Sequence, residues 1–380
     1  MGLDNIQVSV VLPCLNEEKA LSLCLNKIKD VFSREGIIGE IIVADNGSVD
    51  NSREIAGSLG ARVVLEPQKG YGAAYLSGIK EAKGEYIVIA DSDNTYDLSD
   101  IPKFLKPLKD GYDFVLGSRF KGKIRKGAMS WSHRYVGNPI LSGICRLFFK
   151  TDLSDIHCGM RSFTSSAYQK MKLRTLGMEF ATEMVVSALV NNFKTFEVPI
   201  DYYPREGESK LSPLTDAWRH IRFMLIYSPL WLYFMPALTG FLLGSLILLL
   251  MLKGPFLFLG HHWDIHFMIF ISAISILSYQ LLNLGVFAHT FAVNEGFLRN
   301  DRFFLFFQRH FNLETGLIIG SALFIAGFSI NLLIFMEWFF KHFGTLGRIR
   351  ESILAMTLLI IGLQTIFSSF FISLLFLKRR

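Results

Sequence analysis

The sequence has 380 residues and 35 Phe, with 51% hydrophobic and 19% charged residues. Soluble proteins carry roughly 25% charged residues, so this composition excludes a uniformly soluble enzyme, and its many aromatic side chains exclude a disordered chain. The formal net charge of +6 is compatible with nucleic acid, anionic lipid or a phosphorylated substrate as partner, and the positions of the charges must decide among these.

The first part of the chain, residues 1–212, alternates short apolar runs with amphipathic segments. We predict strands at residues 8–12, 40–44, 62–66 and 86–90, and helices at residues 19–32, 52–59 and 73–82. Strands that alternate with helices of this length predict an α/β domain with a mostly parallel, Rossmann-like sheet covered by helices on both faces.

Clusters of polar residues follow the predicted strands, at residues 13–18, 45–50, 91–97 and 117–119. Ligands of open α/β sheets bind outside the carboxyl ends of the strands. The sequence therefore predicts that these four clusters contribute to one binding site.

Asp91 and Asp93 lie directly after the apolar run at residues 86–90. Two carboxylates at i and i+2 can share a hard divalent cation, Mg²⁺ or Mn²⁺, whose other ligands are water and substrate phosphates. Such pairs more often cap a helix or shape a turn, so the pair by itself leaves both interpretations open.

Two further clusters have both a local and a functional interpretation. Asp45 begins a turn and helix cap, and its carboxylate could also accept ring N–H groups of a nucleotide base. Gly70 and Gly72 open a helix, where glycine permits close backbone approach and a helix N-terminus favours phosphate. The glycines are not part of a Walker A loop, because no Gly-Lys-Ser/Thr ending follows them.

The second half of the chain predicts a four-helix transmembrane domain at residues 231–380. A bilayer core of about 30 Å needs roughly 20 apolar helical residues, and the chain has four such stretches, at about 232–252, 267–292, 315–336 and 352–377. Residues 213–230 form the link, and their cationic and apolar side chains are typical of an amphipathic helix in the membrane interface. A surface helix of the first domain is the alternative interpretation.

An even number of spans places both termini on one side of the membrane, and we expect that side to be the cytoplasm. The apolar run at residues 8–12 is too short, and the residues before it are too weakly basic, to indicate a secretory signal, and the cysteines lack the spacing of a metal site or disulfide framework. Arg and Lys residues near 219–222, 299–309 and 378–380 agree with the positive-inside rule. Lys341, Arg348 and Arg350 in the second outer loop weaken that agreement.

The order of the motifs is more specific than any one of them. The first five motifs are Pro13-Cys14-Leu15-Asn16-Glu17-Glu18, Asp45-Asn46-Gly47-Ser48, Lys69-Gly70-Tyr71-Gly72, Asp91-Ser92-Asp93 and Gly117-Ser118-Arg119. This series resembles the GT-A-type glycosyltransferases of family 2. Three later motifs narrow the resemblance to the polyprenyl-phosphate glycosyltransferases, such as dolichol-phosphate mannose synthase: Cys158-Gly159-Met160-Arg161, Val198-Pro199-Ile200 and Arg205-Glu206-Gly207-Glu208-Ser209-Lys210-Leu211.

The resemblance implies a role for each motif. The residues implied to bind the nucleotide sugar are Pro13, Asn16, Glu17, Asp45, Gly70, Gly72, Asp91 and Ser92. Asp91 and Asp93 would hold the metal on the donor diphosphate, and Arg119 would act in catalysis by meeting the acceptor phosphate. The sequence departs from the family at Thr95, where many relatives have a Gln that provides a further metal ligand.

The cationic residues within residues 1–212 suit a lipid phosphate as the acceptor. A phosphate monoester has its second pKa near 6, so it needs cationic positioning rather than a strong general base. Arginine is suited to bidentate phosphate contact. The side chains predicted to bind the acceptor phosphate are Arg119, Arg134, Arg161, Arg205 and Lys210.

The leading hypothesis is an inverting, metal-dependent hexosyltransferase that uses a UDP- or GDP-sugar and an undecaprenyl or dolichyl phosphate at the cytoplasmic face of the membrane. Its partners would be these substrates and the membrane, with a homo-oligomer left open and no nucleic acid. A processive polysaccharide synthase is one alternative, although its Gln-x-x-Arg-Trp motif is absent from the sequence. A non-catalytic sensor or lipid-carrier partner protein is the other.

Overall fold

The computed structural model describes residues 6–206, 213–294, 298, 305, 309 and 311–376. The chain divides into two compact units, Met1–Met224 and Leu225–Arg380. The first unit contains the α/β domain, and the second contains the long apolar helices.

The first unit is built on one seven-stranded sheet. Its strands are β1 (Val8–Cys14), β2 (Gly39–Asp45), β3 (Arg62–Leu65), β4 (Tyr86–Ile89), β5 (Phe114–Ser118), β6 (Arg161–Thr164) and β7 (Thr195–Pro199). They lie in the order β3-β2-β1-β4-β6-β5-β7, and only β6 runs antiparallel to its neighbours. The predicted mostly parallel sheet is therefore confirmed, and the sequence prediction missed the inserted antiparallel strand.

Helices cover the sheet. Those of the first unit are α1 (Glu18–Glu35), α2 (Ser52–Ser58), α3 (Tyr71–Lys80), α4 (Ile101–Lys109), α5 (Asn138–Phe149), α6 (Ser165–Met171), α7 (Phe180–Val190) and α8 (Pro213–Ile226). In α1 the buried positions Leu21, Leu25 and Ile28 recur every three or four residues, which is the spacing of a helix with one face on a core.

The ends of β1, β2 and β4 meet at one edge of the sheet. Cys14 is paired with Asp45 across β1 and β2. The hydroxyl of Ser92, beyond β4, donates a hydrogen bond to the carbonyl of Pro13 at 2.6 Å. The polar clusters that follow these three strands are therefore neighbours, as the parallel arrangement predicts.

The four cysteines are all free and buried in the first unit. Burial raises the pKa of Cys14, and it raises the pKa of Cys24, Cys145 and Cys158 to about 12. Each thiol is therefore a packing group rather than a reactive one.

Helix α8 contacts the first unit through one face. Met224 belongs to the core of that unit, and Nδ1 of His220 lies 2.8 Å from the hydroxyl of Thr182 in α7. Trp218 is 59% exposed. The buried face agrees with a surface helix of the first unit, whereas an interfacial location for the exposed face stays a prediction.

The second unit confirms the four predicted apolar helices. They are α9 (Met235–Met251), α10 (Ile265–Asn294), α11 (Leu313–Phe340) and α12 (Ile349–Phe376). A short π-helical segment, Leu230–Phe234, extends the first of them to 22 residues, and each of the four is long and apolar enough to cross a membrane. A short hairpin joins α9 to α10 and consists of β8 (Phe256–Phe258) and β9 (His261–Trp263).

Small and hydroxylated side chains pack these four helices together. Ser272 and Thr357 are 2.6 Å apart, which links α10 to α12. A Cβ atom at Gly320 of α11 would lie 2.9 Å from the carbonyl oxygen of Gly362 in α12. Close backbone approach at small residues is a usual means of association for apolar helices, which gain little from hydrophobic burial in lipid.

Cationic residues of the loop between α11 and α12 are neutralised locally. Lys341 and Arg348 both pair with Glu337, at 2.7 and 3.1 Å, and Arg350 pairs with Asp264. The sidedness of this loop stays a prediction.

We predict that Gly320→Val destabilises the second unit, because the added methyl groups have no room beside Gly362 and Ile366. Overpacking of this kind costs about 1–3 kcal/mol, which should lower the midpoint of thermal unfolding of the purified protein in detergent. Gly347→Val is the control, since a Cβ atom there meets nothing within 4 Å. Equal midpoints for the two variants would contradict the prediction.

Candidate active site

Asp91 is held at the end of β4 by two tyrosines and one glycine. Its Oδ1 accepts hydrogen bonds from the hydroxyls of Tyr71 and Tyr75, at 2.8 and 3.3 Å. Its Oδ2 faces Gly159, where a Cβ atom would lie only 2.5 Å away. Burial, followed by the charge of Asp93, raises the pKa of Asp91 to about 6.

Asp93 is held by a different set of contacts. Its Oδ1 accepts hydrogen bonds from the backbone amide and the hydroxyl of Thr95, at 3.1 and 2.5 Å. Its Oδ2 lies 3.3 Å from the guanidinium of Arg205, which also donates a hydrogen bond to Glu17. Arg205 therefore connects the motif after β1 with the motif after β4.

The donor set of Asp91 and Asp93 fits a hard divalent cation. Each carboxylate uses Oδ1 for hydrogen bonds within the protein, and a cationic group already lies against Oδ2 of Asp93. A divalent cation would offset the burial and mutual repulsion that raise the pKa of Asp91. Thr95 stands where the family resemblance implies a Gln ligand, and its hydroxyl donates a hydrogen bond to Asp93. Among the described residues, no third His, Cys, Asp or Glu completes a metal-binding group.

The loop after β2 forms a rigid turn around Asp45. The carboxylate of Asp45 accepts hydrogen bonds from the amides of Gly47 and Ser48 and from Nε of Arg53, the last at 2.7 Å. Burial by itself would raise the pKa of Asp45, but the hydrogen bonds from Ser48, Arg53 and Gly47 together lower it. The predicted turn is present, and contact with a base would require an exchange of partners with the half-exposed Arg53.

Asn16 and Glu17 join the β1 and β2 loops. Oδ1 of Asn16 accepts a hydrogen bond from the amide of Val49 at 2.8 Å, and the amide of Glu17 donates to the hydroxyl of Ser52 at 2.9 Å. Together with the Ser92–Pro13 contact, these hydrogen bonds bring the predicted nucleotide-sugar residues of three motifs to one edge of the sheet.

The structure gives Gly70 and Gly72 a packing role, and the phosphate contact stays a prediction. A Cβ atom at Gly70 would lie 2.1 Å from the carbonyl oxygen of Leu176, and one at Gly72 would lie 2.3 Å from that of Thr175. The first turn of α3 is engaged there as well, because the amide of Ala73 donates to Leu176 at 3.1 Å. The close backbone approach that the glycines predict is therefore an approach to residues 175–176.

Arg119 forms a buried ion pair. Its Nε and Nη2 each lie 2.7 Å from the carboxylate of Asp155, and its guanidinium carbon lies 5.2 Å from the ring centre of Tyr202. Among the described residues, no hydrogen bond is made by Nη1 of Arg119. Asp155 thus orients Arg119.

Arg161 is not placed for the phosphate contact that we predicted. It is 1% exposed. Its guanidinium donates hydrogen bonds to the carbonyl oxygens of Cys158, Ala181 and Ile156, at 2.8, 2.5 and 2.8 Å. Arg161 therefore links β6, α7 and the preceding loop, and we withdraw it from the set of acceptor-binding residues.

The other predicted acceptor residues lie in different places. Arg205 lies at the acidic pair, whereas Arg134 lies just before α5, with its guanidinium 5.3 Å from the ring centre of Tyr135. Lys210 falls outside the described residues.

Several residues of the site escaped the sequence prediction. Tyr71 and Gly159 were within quoted motifs, but their contacts with Asp91 join segments far apart in the chain. Tyr202 had no motif of its own, and only its contact with Arg119 reveals a role.

Comparison with known proteins identifies the family. The family model described as Glycosyl transferase family 2 matches residues 9–176, and the one described as Glycosyltransferase family 2 C-terminal transmembrane region matches residues 286–376. The chain is 37% identical over 367 residues to the Low-salt glycan biosynthesis hexosyltransferase Agl6 of Haloferax volcanii, an alignment that covers 96% of this chain and 87% of the relative.

Two further similarities cover the first unit. The Dolichyl-phosphate hexose transferase of Haloferax volcanii is 30% identical over 207 residues, or 54% of this chain and 87% of the relative. The crystal structure of glucosyl-3-phosphoglycerate synthase from Mycobacterium tuberculosis, in complex with Mn²⁺, UDP and glucosyl-3-phosphoglycerate, aligns with a TM-score of 0.46 and 22% identity. That alignment covers 58% of this chain and 77% of that one.

The sheet, the acidic pair at its edge and the apolar helices that follow are those of a membrane-bound glycosyltransferase. The chain belongs to glycosyltransferase family 2, and it is an integral membrane enzyme with four candidate spans.

We predict that Gly159→Ala lowers the initial rate of glycosyl transfer at least about tenfold, with little change in the thermal unfolding midpoint. The new Cβ atom would lie 2.5 Å from Oδ2 of Asp91, so the carboxylate must leave its position, and a misplacement of about 1 Å in a catalytic site can cost 100-fold in rate. Gly143→Ala is the control, because its Cβ atom would meet only Nη2 of Arg146, 3.9 Å away. If Gly159→Ala kept activity within twofold of wild type, the position of the Asp91 carboxylate would not matter for glycosyl transfer, and the prediction would be wrong.

Proposed function

We propose that the protein transfers a hexose, with inversion, from a UDP- or GDP-sugar to an undecaprenyl or dolichyl phosphate. The observation that carries the proposal is the contact of Arg205 with both Asp93 and Glu17. This contact puts a phosphate-binding cation beside the carboxylates expected to hold the donor diphosphate. The names of two relatives, a hexosyltransferase and a dolichyl-phosphate hexose transferase, support the sugar and acceptor classes.

The chemistry that we propose needs no general base. A lipid monophosphate is largely a dianion at neutral pH, so one of its oxygens can attack the anomeric carbon of the donor directly. The new bond joins that oxygen to the anomeric carbon, and the bond from this carbon to the nucleoside diphosphate breaks on the opposite side. The task of the protein is to hold two anions in line against their mutual repulsion.

Two arginines are suited to that task. Arg205 already bridges Glu17 and Asp93, and phosphates that arrive at the site can replace these carboxylates as its partners. Arg119 is fixed by Asp155, so it offers Nη1 without the entropy cost of ordering a mobile side chain. Arg134 and Lys210 stay in the proposed acceptor set.

We assign the metal to Asp91 and Asp93. A bound Mg²⁺ or Mn²⁺ would neutralise charge that develops on the leaving diphosphate. We retain Pro13, Asn16, Glu17, Asp45 and Ser92 as the residues that line the donor site, because the hydrogen bonds described above bring them to the same edge of the sheet as the acidic pair.

The surface of α5 and the preceding loop supports a lipid acceptor. From Phe114 to Thr151 the chain has no acidic residue and eight Lys or Arg residues. The face of α5 opposite its buried Leu141 and Cys145 exposes Ile140 and Leu147. Apolar and cationic side chains together suit the boundary of an anionic membrane. We propose that the lipid phosphate approaches the site along this face, which we place on the cytoplasmic side with both termini.

We predict that Asp93→Ala lowers transfer of labelled sugar to polyprenyl phosphate by more than about 100-fold, since even the loss of an outer-shell partner of a metal typically costs 10- to 100-fold. Membranes with the wild type and each variant should be incubated with a panel of labelled UDP- and GDP-sugars, and the labelled lipid should then be extracted.

Asp110→Ala is the matched control, because Asp110 is an exposed carboxylate at the end of α4. Wild-type transfer in excess EDTA would overturn the metal assignment. Transfer to a growing polysaccharide, with no labelled lipid formed, would overturn the proposed acceptor.

We predict that the double variant Trp131→Ser/Ile140→Ser raises KM for the lipid acceptor several-fold and leaves KM for the nucleotide sugar unchanged. The two side chains are 71% and 54% exposed, so their loss removes apolar contact with lipid and no core packing. Leu65→Ser is the control, because Leu65 is 62% exposed at the end of β3. An unchanged acceptor KM in the double variant would show that the lipid approaches elsewhere.

A further inference from the structure

The hydroxyl groups of two tyrosines converge on one oxygen of Asp91. Tyr71 and Tyr75 lie four residues apart in α3, so their side chains are on the same face of the helix. Both hydroxyls donate to Oδ1, at 2.8 and 3.3 Å. The two hydroxyls also form a hydrogen bond with each other.

The two rings are themselves fixed by packing. Tyr75 is fully buried and stacks on Phe180 of α7, with ring centres 5.5 Å apart. Tyr71 packs edge-to-face against Tyr75, with ring centres 4.9 Å apart. Burial raises the pKa of both phenols well above the usual value, so they remain hydrogen-bond donors at physiological pH.

The second oxygen of Asp91 is confined from another direction. Oδ2 faces Gly159, and the amide of Gly159 donates to the hydroxyl of Tyr96 at 2.8 Å, which fixes the glycine. The carboxylate therefore has one oxygen engaged by the tyrosines and the other in a slot that only a glycine leaves open.

We propose that Tyr71, assisted by Tyr75, is a positioning residue that makes Asp91 a monodentate metal ligand. Because the hydroxyls occupy Oδ1, Asp91 offers a cation only Oδ2, in one orientation. This inference rests on the proposed metal role of Asp91 and Asp93.

The proposal makes a specific statement about metal selectivity. Mg²⁺ requires near-ideal octahedral geometry with short bonds, whereas Ca²⁺ accepts bidentate carboxylates and irregular coordination. A carboxylate held to one oxygen suits Mg²⁺ or Mn²⁺, and a carboxylate released to turn and bind through both oxygens suits Ca²⁺. Removal of the hydroxyl groups should therefore change the ratio of the Mg²⁺ and Ca²⁺ affinities as well as the affinities themselves.

The test measures binding of Mn²⁺ alone to the purified full-length protein by electron paramagnetic resonance, with Mg²⁺ and Ca²⁺ as competitors. We expect Tyr71→Phe to weaken Mn²⁺ and Mg²⁺ binding about tenfold, in the range for lost outer-shell partners, and to leave Ca²⁺ binding nearly unchanged. Tyr75→Phe should shift the same ratio in the same direction by a smaller factor, because its hydrogen bond is longer. If Tyr71→Phe does not fold, the Mg²⁺/Ca²⁺ affinity ratio of Tyr75→Phe tests the positioning role in its place.

Tyr168→Phe is the matched control, since it removes the hydroxyl of a tyrosine that stacks on Phe163 and has no contact with the acidic pair. Wild-type Mn²⁺ affinity in Tyr71→Phe, or an equal loss for Mg²⁺ and Ca²⁺, would overturn the positioning role. Asp93→Ala separates the two proposals. If it binds Mn²⁺ like wild type, the proposed metal site fails. If it loses Mn²⁺ while Tyr71→Phe retains it, only the positioning role fails.

Discussion

Two carboxylates close together at a buried strand end repel each other and lose hydration, and the surroundings of Asp91 and Asp93 are arranged to offset both costs. Hydroxyl groups from α3 and from Thr95 take one oxygen of each carboxylate. Arg205 brings a positive charge to the same place and ties it to Glu17. Hydrogen bonds and ion pairs to these carboxylates thus hold segments that are distant in sequence together at one edge of the sheet.

Some parts of this site could be predicted from the sequence, and others could not. Asp91, Asp93, Glu17 and Arg205 could be predicted because the ordered series of motifs is specific, although no single motif is. The role of Tyr71 depends on the register of α3 against the end of β4, and a motif that contains a tyrosine does not encode that register. Strands β1 to β4 were predicted from alternating apolar runs, but four-residue β6 begins with a buried Arg161 and has no such run.

Arg161 and the glycines of α3 show a second limit of sequence patterns. Arginine and glycine near a nucleotide site suggest phosphate, yet Arg161 satisfies three backbone carbonyls, and Gly70 and Gly72 admit the backbone of residues 175–176. In both cases the residue type indicates a real physical demand, for donors or for space. The backbone groups that these residues contact belong to the same chain, and only the fold shows which groups they are.

The burial of the four cysteines has a practical consequence for the membrane half. Thiols that are inaccessible and protonated react slowly with maleimides, so the natural chain already serves as a nearly silent background for cysteine labelling. A single cysteine introduced at Leu257 or Leu259, both exposed near the β8–β9 hairpin, or at Gly347 could be modified selectively by an impermeant reagent on intact cells or inverted vesicles. The sidedness of these two loops could then be read without removal of any native residue.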